Sequence, residues 1–287
     1  MRIGDYELTS PFVTAGSGNA RWCVAIKDGK RYFLKQFLAP VQPVQTTVTA
    51  TQPVQKRRSR CAAFERRKRA LYDALLRIRA DCIVHVEDFF VHDGHYFAAS
   101  EWIDPSHPTF ETVHQMQPQT VCKLLYSLAE CLRTLHRHGV VHADLKPEHI
   151  IVGEDWTHGV RLIDFDAGFL ETSPTDLGGN IEVDPAYLSP EAYLLMTGKT
   201  VKLNRKLDTF ALGIVMHQAL TGEMPRFDKE KFAYLYACVL DGGWVALSPK
   251  LQPGHRLLIR RMLRKNPAFR PSDRMICKAL KKTFDQD

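Results

Sequence analysis

The chain lacks the features that mark membrane, secreted and fibrous proteins. Nowhere in its 287 residues does an apolar run approach the ~20 residues needed to cross a bilayer. The opening MRIGDYELTS has no apolar stretch of the kind a secretion signal carries, so cytoplasm is the expected compartment and no membrane partner is expected. Seven cysteines are scattered without a C-x-x-C pair, which argues against a disulfide framework and a zinc knuckle and leaves reduced, packed thiols. No internal repeat is evident. Hydrophobic residues at 45% and charged residues at 25% exclude wholesale disorder, a collagen-like fibre and a coiled-coil rod. What remains is a globular protein, long enough for one large domain or two lobes.

The formal net charge of +7 favours acidic partners without choosing among nucleotides, nucleic acid, acidic proteins or anionic lipid. Much of the excess is local: Lys56, Arg57, Arg58, Arg60, Arg66, Arg67, Lys68 and Arg69 fall in one short stretch. This reads as a solvated helix face or a docking surface. Aromatic residues do not interleave the charges as a base-stacking platform requires, so nucleic acid is not the expected partner.

Alternating apolar runs over the first ~37 residues, with Asp28-Gly29-Lys30 as a tight turn, predict a small antiparallel sheet. From Ala39 the composition shifts to Pro, Gln, Thr and Val without helical period, which predicts a flexible insertion over 39–58 whose Thr46, Thr47, Thr49 and Thr51 are exposed modification candidates. Phe64, Leu71, Leu75 and Ile78 recur at helical spacing and predict a helix from Cys61 to Arg79. Two more alternating runs, separated by Asp93-Gly94, complete a first lobe over 1–102. Beyond it the pattern turns helical over 103–287, with one stripe from Val121 to Leu135 ending at Gly139 and another helix from Leu207 to Leu220 stopping at Thr221-Gly222.

Three places carry chemistry. Gly16-Ser17-Gly18 lies between two strands, where absent side chains would let backbone N–H groups approach a phosphate, although such a pair also simply makes a turn. Lys35 lies inside the strand FLKQF and either meets an anion in a cleft or snorkels at the strand end. VVHADLKPEHIIV, Val140 to Val152, followed by LIDFDAG, Leu162 to Gly168, delivers aspartates from two apolar runs to the loops beside them.

These two segments, with DPAYLSPE, NPAFRPS and LDTFALGIVMHQALTG behind them, resemble the eukaryotic-type Ser/Thr protein kinase family over nearly the whole chain. The resemblance implies an α+β bilobal protein-kinase-like fold: a first lobe with an antiparallel sheet and one helix that binds nucleotide, and a mainly helical second lobe for catalysis and substrate. It implies ATP and Mg²⁺ as cofactors, a protein substrate including the chain itself, and a separate regulatory protein for input. It gives Asp144 the proton of the attacking hydroxyl, Lys146 the charge of the transferred phosphoryl group, and Asp164 the metal. Lys35 falls to the nucleotide phosphates with Glu65 as its partner, Gly16 and Gly18 to the phosphate loop, and Glu101 to Ile103 to the segment that reads adenine. Glu191 would pair with Arg270, and Asp208 would fix the catalytic loop from below.

The chain also departs from the family pattern. Arg21 stands at the third glycine position of the phosphate loop. Ala143 replaces the arginine that couples a phosphorylated loop to the catalytic aspartate, so loop phosphorylation is not expected to switch this chain by that route. His149 replaces the metal-binding asparagine and Asp166 the glycine after Asp164-Phe165. Imidazole suits softer metals than Mg²⁺, so the expected set Asp164, His149 and Asp166 shifts preference toward Mn²⁺. Asp184 stands where Ser/Thr-type members carry threonine, which leaves the preferred hydroxyl open. Two other functions stand beside a protein Ser/Thr kinase: a pseudokinase or nucleotide-binding scaffold with weak turnover, and a small-molecule phosphotransferase.

Overall fold

Alternation in a strand sends successive side chains to opposite faces, and the first part of the chain uses both faces for different purposes. The computed structural model describes residues 1–14, 20–43, 52–104, 109–153, 159–173 and 183–284. They fall into two compact units, Met1–Arg79 with Val84–Pro105, and Ala80–Ile83 with Ser106–Asp287.

In the first unit the strands are β1 (Arg2–Ile3), β2 (Tyr6–Leu8), β3 (Val13–Thr14), β4 (Ala20–Lys27), β5 (Lys30–Phe37), β6 (Val86–His92) and β7 (His95–Glu101). They form one antiparallel sheet in the order β1-β2-β4-β5-β7-β6, with β3 also on β4. Cys23, Ala25, Leu34, Phe97 and Ala99 share one face, and Ile3 and Tyr6 cover it to make a core. The other face carries Lys35, set between Trp22 and Ala98 by register. On this face Phe37 meets Phe64 of the helix α1 (Gln52–Leu76) edge-on at 5.3 Å.

Helix α1 starts nine residues before the expected Cys61. The expected insertion therefore ends before Gln52, while Thr46, Thr47, Thr49 and Thr51 lie outside the described residues. The early turns were invisible to periodicity because residues 52–60 bury no side chain. Farther along, Cys61, Lys68, Leu71, Tyr72 and Leu75 form the buried stripe. Lys68 in that stripe places its Nζ 4.7 Å from the Phe37 ring centre and 5.6 Å from that of Tyr72.

The second unit is built on helices α2 (Pro118–Arg137), α3 (Pro190–Met196), α4 (Lys206–Thr221), α5 (Leu235–Leu240), α6 (Pro253–Met262) and α7 (Asp273–Phe284). Helix α2 buries the expected stripe from Val121 to Leu135. Helix α4 is buried on all sides, as its nearly unbroken apolar sequence requires. Gly213 lets α6 approach it, since a Cβ there would lie 3.0 Å from the Met262 Cβ. Gly222 ends α4 with φ 74° and its N–H on the Gln218 carbonyl at 2.8 Å, the left-handed cap that glycine makes at least cost. Short strands β8 (Val140–Val141), β9 (Ile150–Val152), β10 (Val160–Leu162) and β11 (Phe169–Leu170) form two antiparallel pairs, β8 with β11 and β9 with β10. No helix among the described residues is long and apolar enough to cross a membrane.

Candidate active site

The two strand pairs bracket two loops, 142–149 and 163–168, and cross-links hold the loops side by side. The N–H of Ile163 donates to the His149 carbonyl at 3.0 Å, and the His142 Nε2–H donates to the Ile163 carbonyl at 3.1 Å. His142 Nδ1 then accepts from the Asp144 N–H at 3.3 Å. Burial pushes this imidazole below its ordinary range, which suits a neutral ring with one donor and one acceptor. The His142 ring packs 4.8 Å from that of the buried Phe165.

Beneath the first loop, Asp208 near the start of α4 is fully buried. Its Oδ2 accepts from the His142 N–H and its Oδ1 from the Ala143 N–H, both at 2.8 Å. Two successive N–H groups can point at one carboxylate because Ala143 adopts φ 68°, a left-handed conformation that an L-residue holds only when its surroundings compensate. Asp164 has the same handedness, φ 59°, at the head of the second loop. The role foreseen for Asp208 under the catalytic loop is thus present as two hydrogen bonds.

Four side chains converge above this support. The Lys146 Nζ lies 3.6 Å from the Asp144 Oδ2. His149 Nδ1 donates to the Asp144 carbonyl oxygen at 2.8 Å, and its Nε2 lies 3.7 Å from the Asp164 Oδ2. The Asp184 N–H donates to the Asp144 Oδ1 at 3.1 Å, while the Asp184 carboxylate turns away to accept from the Ala186 N–H at 2.8 Å. Asp166 places its N–H 3.4 Å from the Asp164 Oδ1. Among the described residues no three His, Cys, Asp or Glu side chains form a metal-holding group, and His149 with Asp164 is the approach seen here, at 3.7 Å.

Several neighbours had no signal in the sequence. His136, at the end of α2, is buried with Nε2 2.9 Å from the Asp208 Oδ2 and Nδ1 3.1 Å from the Asp273 Oδ2. Burial opposes its charge, but the two carboxylates outweigh burial and raise the imidazole to about 9. Glu171, just after β11, accepts from the Arg205 backbone N–H at 2.7 Å and from the Arg205 guanidinium through both of its oxygens. Beside them Ala143, Phe169 and Leu195 pack against buried Val141, Leu203 and Leu207, so an apolar cluster surrounds the position the family gives to arginine. Glu191 and Arg270 form the foreseen pair, two-pronged at 2.6 and 2.8 Å and buried.

In the first unit Lys35 stands on the α1 face of the sheet, and Glu101 pairs with Tyr32 at the end of β7, just before Trp102 and Ile103. Glu65 meets Arg69 one turn on, with its Oε1 at 2.9 Å, and its Oε2 accepts from the Tyr96 hydroxyl at 3.4 Å. An i,i+4 arginine is within easy reach of a glutamate on a helix surface, and this contact needs no tertiary assembly. Arg21, at the missing third glycine, bonds Gln36 at 2.6 Å and covers the Phe12 ring. Gly16 and Gly18 lie outside the described residues.

The sequence pattern of the protein kinase domain matches residues 47–284. The chain belongs to the eukaryotic-type Ser/Thr protein kinase family. The match begins after β5, so Lys35 and the Gly16 segment lie ahead of it. Among curated relatives, the Hormonally up-regulated neu tumor-associated kinase of Mus musculus is 32% identical over 159 residues, covering 52% of this chain and 20% of the relative. The Carbon catabolite-derepressing protein kinase of Candida glabrata is 26% identical over 284 residues, 94% of this chain and 40% of the relative. Serine/threonine-protein kinase pkn3 of Myxococcus xanthus is 28% identical over 210 residues, 68% of this chain and 37% of the relative. This protein kinase thus spans between a fifth and two fifths of the length of these three relatives.

Proposed function

We propose that this protein kinase transfers the γ-phosphoryl group of ATP to Ser or Thr hydroxyls of protein substrates, itself among them. The observation that carries the reading is the convergence of Asp144, Lys146, His149 and Asp164 on a loop whose backbone is tied to Asp208. Phosphoryl transfer asks for position and charge neutralisation more than for covalent help, and these residues offer both. Asp144 orients the hydroxyl and accepts its proton. Lys146 stays at the Asp144 carboxylate and balances charge on the transferred group. In the first unit, residues 1–102 serve the nucleotide: Lys35 meets its phosphates, Gly16 and Gly18 cover them, and the stretch from Glu101 to Ile103 reads adenine. Residues 103–287 carry catalysis and the protein substrate.

The donors fit a divalent cation. With Nδ1 of His149 on the Asp144 carbonyl, its Nε2 faces the Asp164 carboxylate at 3.7 Å, a nitrogen and an oxygen donor side by side. Bound Mg²⁺ or Mn²⁺ would neutralise phosphate charge there, held by Asp164 and His149, with Asp166 as an auxiliary carboxylate. Imidazole ligation favours Mn²⁺ relative to an all-oxygen site. Equal activity with the two metals, unaltered in Asp166→Ala, removes this metal preference and the role of Asp166.

The test is transfer of radiolabel from ATP to generic protein acceptors, with mass mapping of phosphate on the chain itself. Wild type should label acceptors and itself on Ser or Thr, and Asp144→Ala should lose roughly 10²–10⁴-fold of that rate. Arg21, Ala143 and His149 at positions where the family carries other residues favour a second reading, a nucleotide-binding scaffold with weak turnover. Nucleotide binding with equal, negligible transfer by wild type and Asp144→Ala would select it.

A further inference from the structure

Six of the seven cysteines are buried, and Cys82 alone is part-exposed. It lies in the short segment Ala80–Ile83 that joins α1 to β6 yet belongs to the helical unit. The segment is tightly placed. Its Cys82 carbonyl accepts from the Leu162 N–H at 2.8 Å, and Ile83 bridges Leu162 in parallel. The same carbonyl accepts from the Cys131 thiol of α2 at 3.1 Å. The two cysteines are therefore neighbours in space despite their separation in the chain.

The two sulfurs differ in a way that suits successive roles. The neighbouring Cys131 side chain lowers the Cys82 thiol from its ordinary value, whereas burial pushes Cys131 well up. One sulfur is reachable and inclined to ionise, while the other is sheltered behind it and stays protonated.

We propose that Cys82 and Cys131 are a peroxide-sensitive pair that closes to a disulfide and ties the α1–β6 connection covalently to α2. The Cys82 thiolate attacks one oxygen of hydrogen peroxide; an S–O bond forms, the O–O bond breaks, and hydroxide leaves to take a proton from solvent. The Cys131 sulfur then attacks the Cys82 sulfur; the S–S bond forms, the S–O bond breaks, and the Cys131 proton departs with the oxygen as water. Two thiols are oxidised by two electrons and one peroxide becomes two waters.

The experiment uses the whole reduced chain and needs no catalytic activity. Hydrogen peroxide is added, free thiols are blocked with N-ethylmaleimide after denaturation, and the intact mass and peptides are measured. Wild type should carry two fewer maleimide adducts than the untreated reduced chain blocked in the same way, yield a peptide pair linked through Cys82 and Cys131, and regain both thiols on treatment with dithiothreitol. Cys131→Ser should instead stop at a Cys82 sulfenic acid trapped by dimedone, and Cys82→Ser should leave Cys131 fully blockable. Wild type in which Cys82 proceeds to sulfinic acid while Cys131 remains blockable overturns the proposal, as does a disulfide confined to other cysteines. Because that result is read on wild type, it stands even where a variant fails to fold.

Discussion

Two glutamates of this chain each meet an arginine, and the two pairs have little else in common. Glu191 and Arg270 are both buried, joined by two short hydrogen bonds, and Arg270 also donates to the carbonyls of Arg264 and Lys206 at 2.8 Å. Glu65 and Arg69 sit one turn apart on the surface of α1, with about half of the arginine side chain exposed. The first pair fastens α3 to the chain between α6 and α7, so its value lies in what it positions. The second settles a local charge on the surface of one helix. Burial thus separates a pair that holds elements together from one that a single helix makes within itself.

Removing a partner from each kind of contact should expose that contrast. Asp208→Ala should have the largest effect, since it orphans two backbone N–H groups and a charged imidazole at once. Denaturant unfolding should show a loss on the order of 4 kcal/mol or more, with activity abolished. Arg270→Ala leaves Glu191 buried without its counter-charge and should cost ~3–5 kcal/mol in the same measurement. A loss of less than about 1 kcal/mol would mean that water reaches Glu191 and that burial does not set this pair apart from Glu65–Arg69.

The third test reads pH. His136 is raised to about 9 in the folded protein by Asp208 and Asp273 against the cost of burial, while unfolding returns it to the ordinary value near 6.5. Its stabilisation is fully present below about pH 6.5 and lost as pH rises through about 9, because over that range the folded state holds a proton that the unfolded state has released. Stability should therefore fall by ~2–3 kcal/mol from pH 6.5 to 9, and His136→Gln should flatten the slope. A slope unchanged in the variant would assign it to other groups.

Arg69→Ala should show the smallest change in stability, within ~0.5 kcal/mol, as exposed i,i+4 pairs do. Its interest is functional. With Glu65 relieved of Arg69, kcat/KM for ATP should change several-fold; an unchanged value would mean that Glu65 has no part in nucleotide binding.

The sequence made visible whatever is local or regularly spaced. The Asp144, Asp164 and Asp208 segments each carry a recognisable run of residues, and the stripe of α2 follows a helical period. Glu191 and Arg270 were legible only because each sits in such a run. His136–Asp273 and Glu171–Arg205 join residues far apart in the chain with no local pattern around them, so nothing in either neighbourhood announces the other. The first turns of α1 escaped because an exposed basic helix has no apolar period to detect.

The assignment of Ala80–Ile83 to the helical unit has a consequence for how the chain is made. Synthesis completes α1, this segment and the strands after it long before Leu162, its hydrogen-bond partner roughly eighty residues downstream, leaves the ribosome. The earlier half therefore waits with an interior loop unanchored, and a cut placed between the halves would strip the helical unit of the piece that the earlier half encodes. Fragments divided at residue 105 should be poorer folders than the whole, because the chain weaves its two parts together before it separates them.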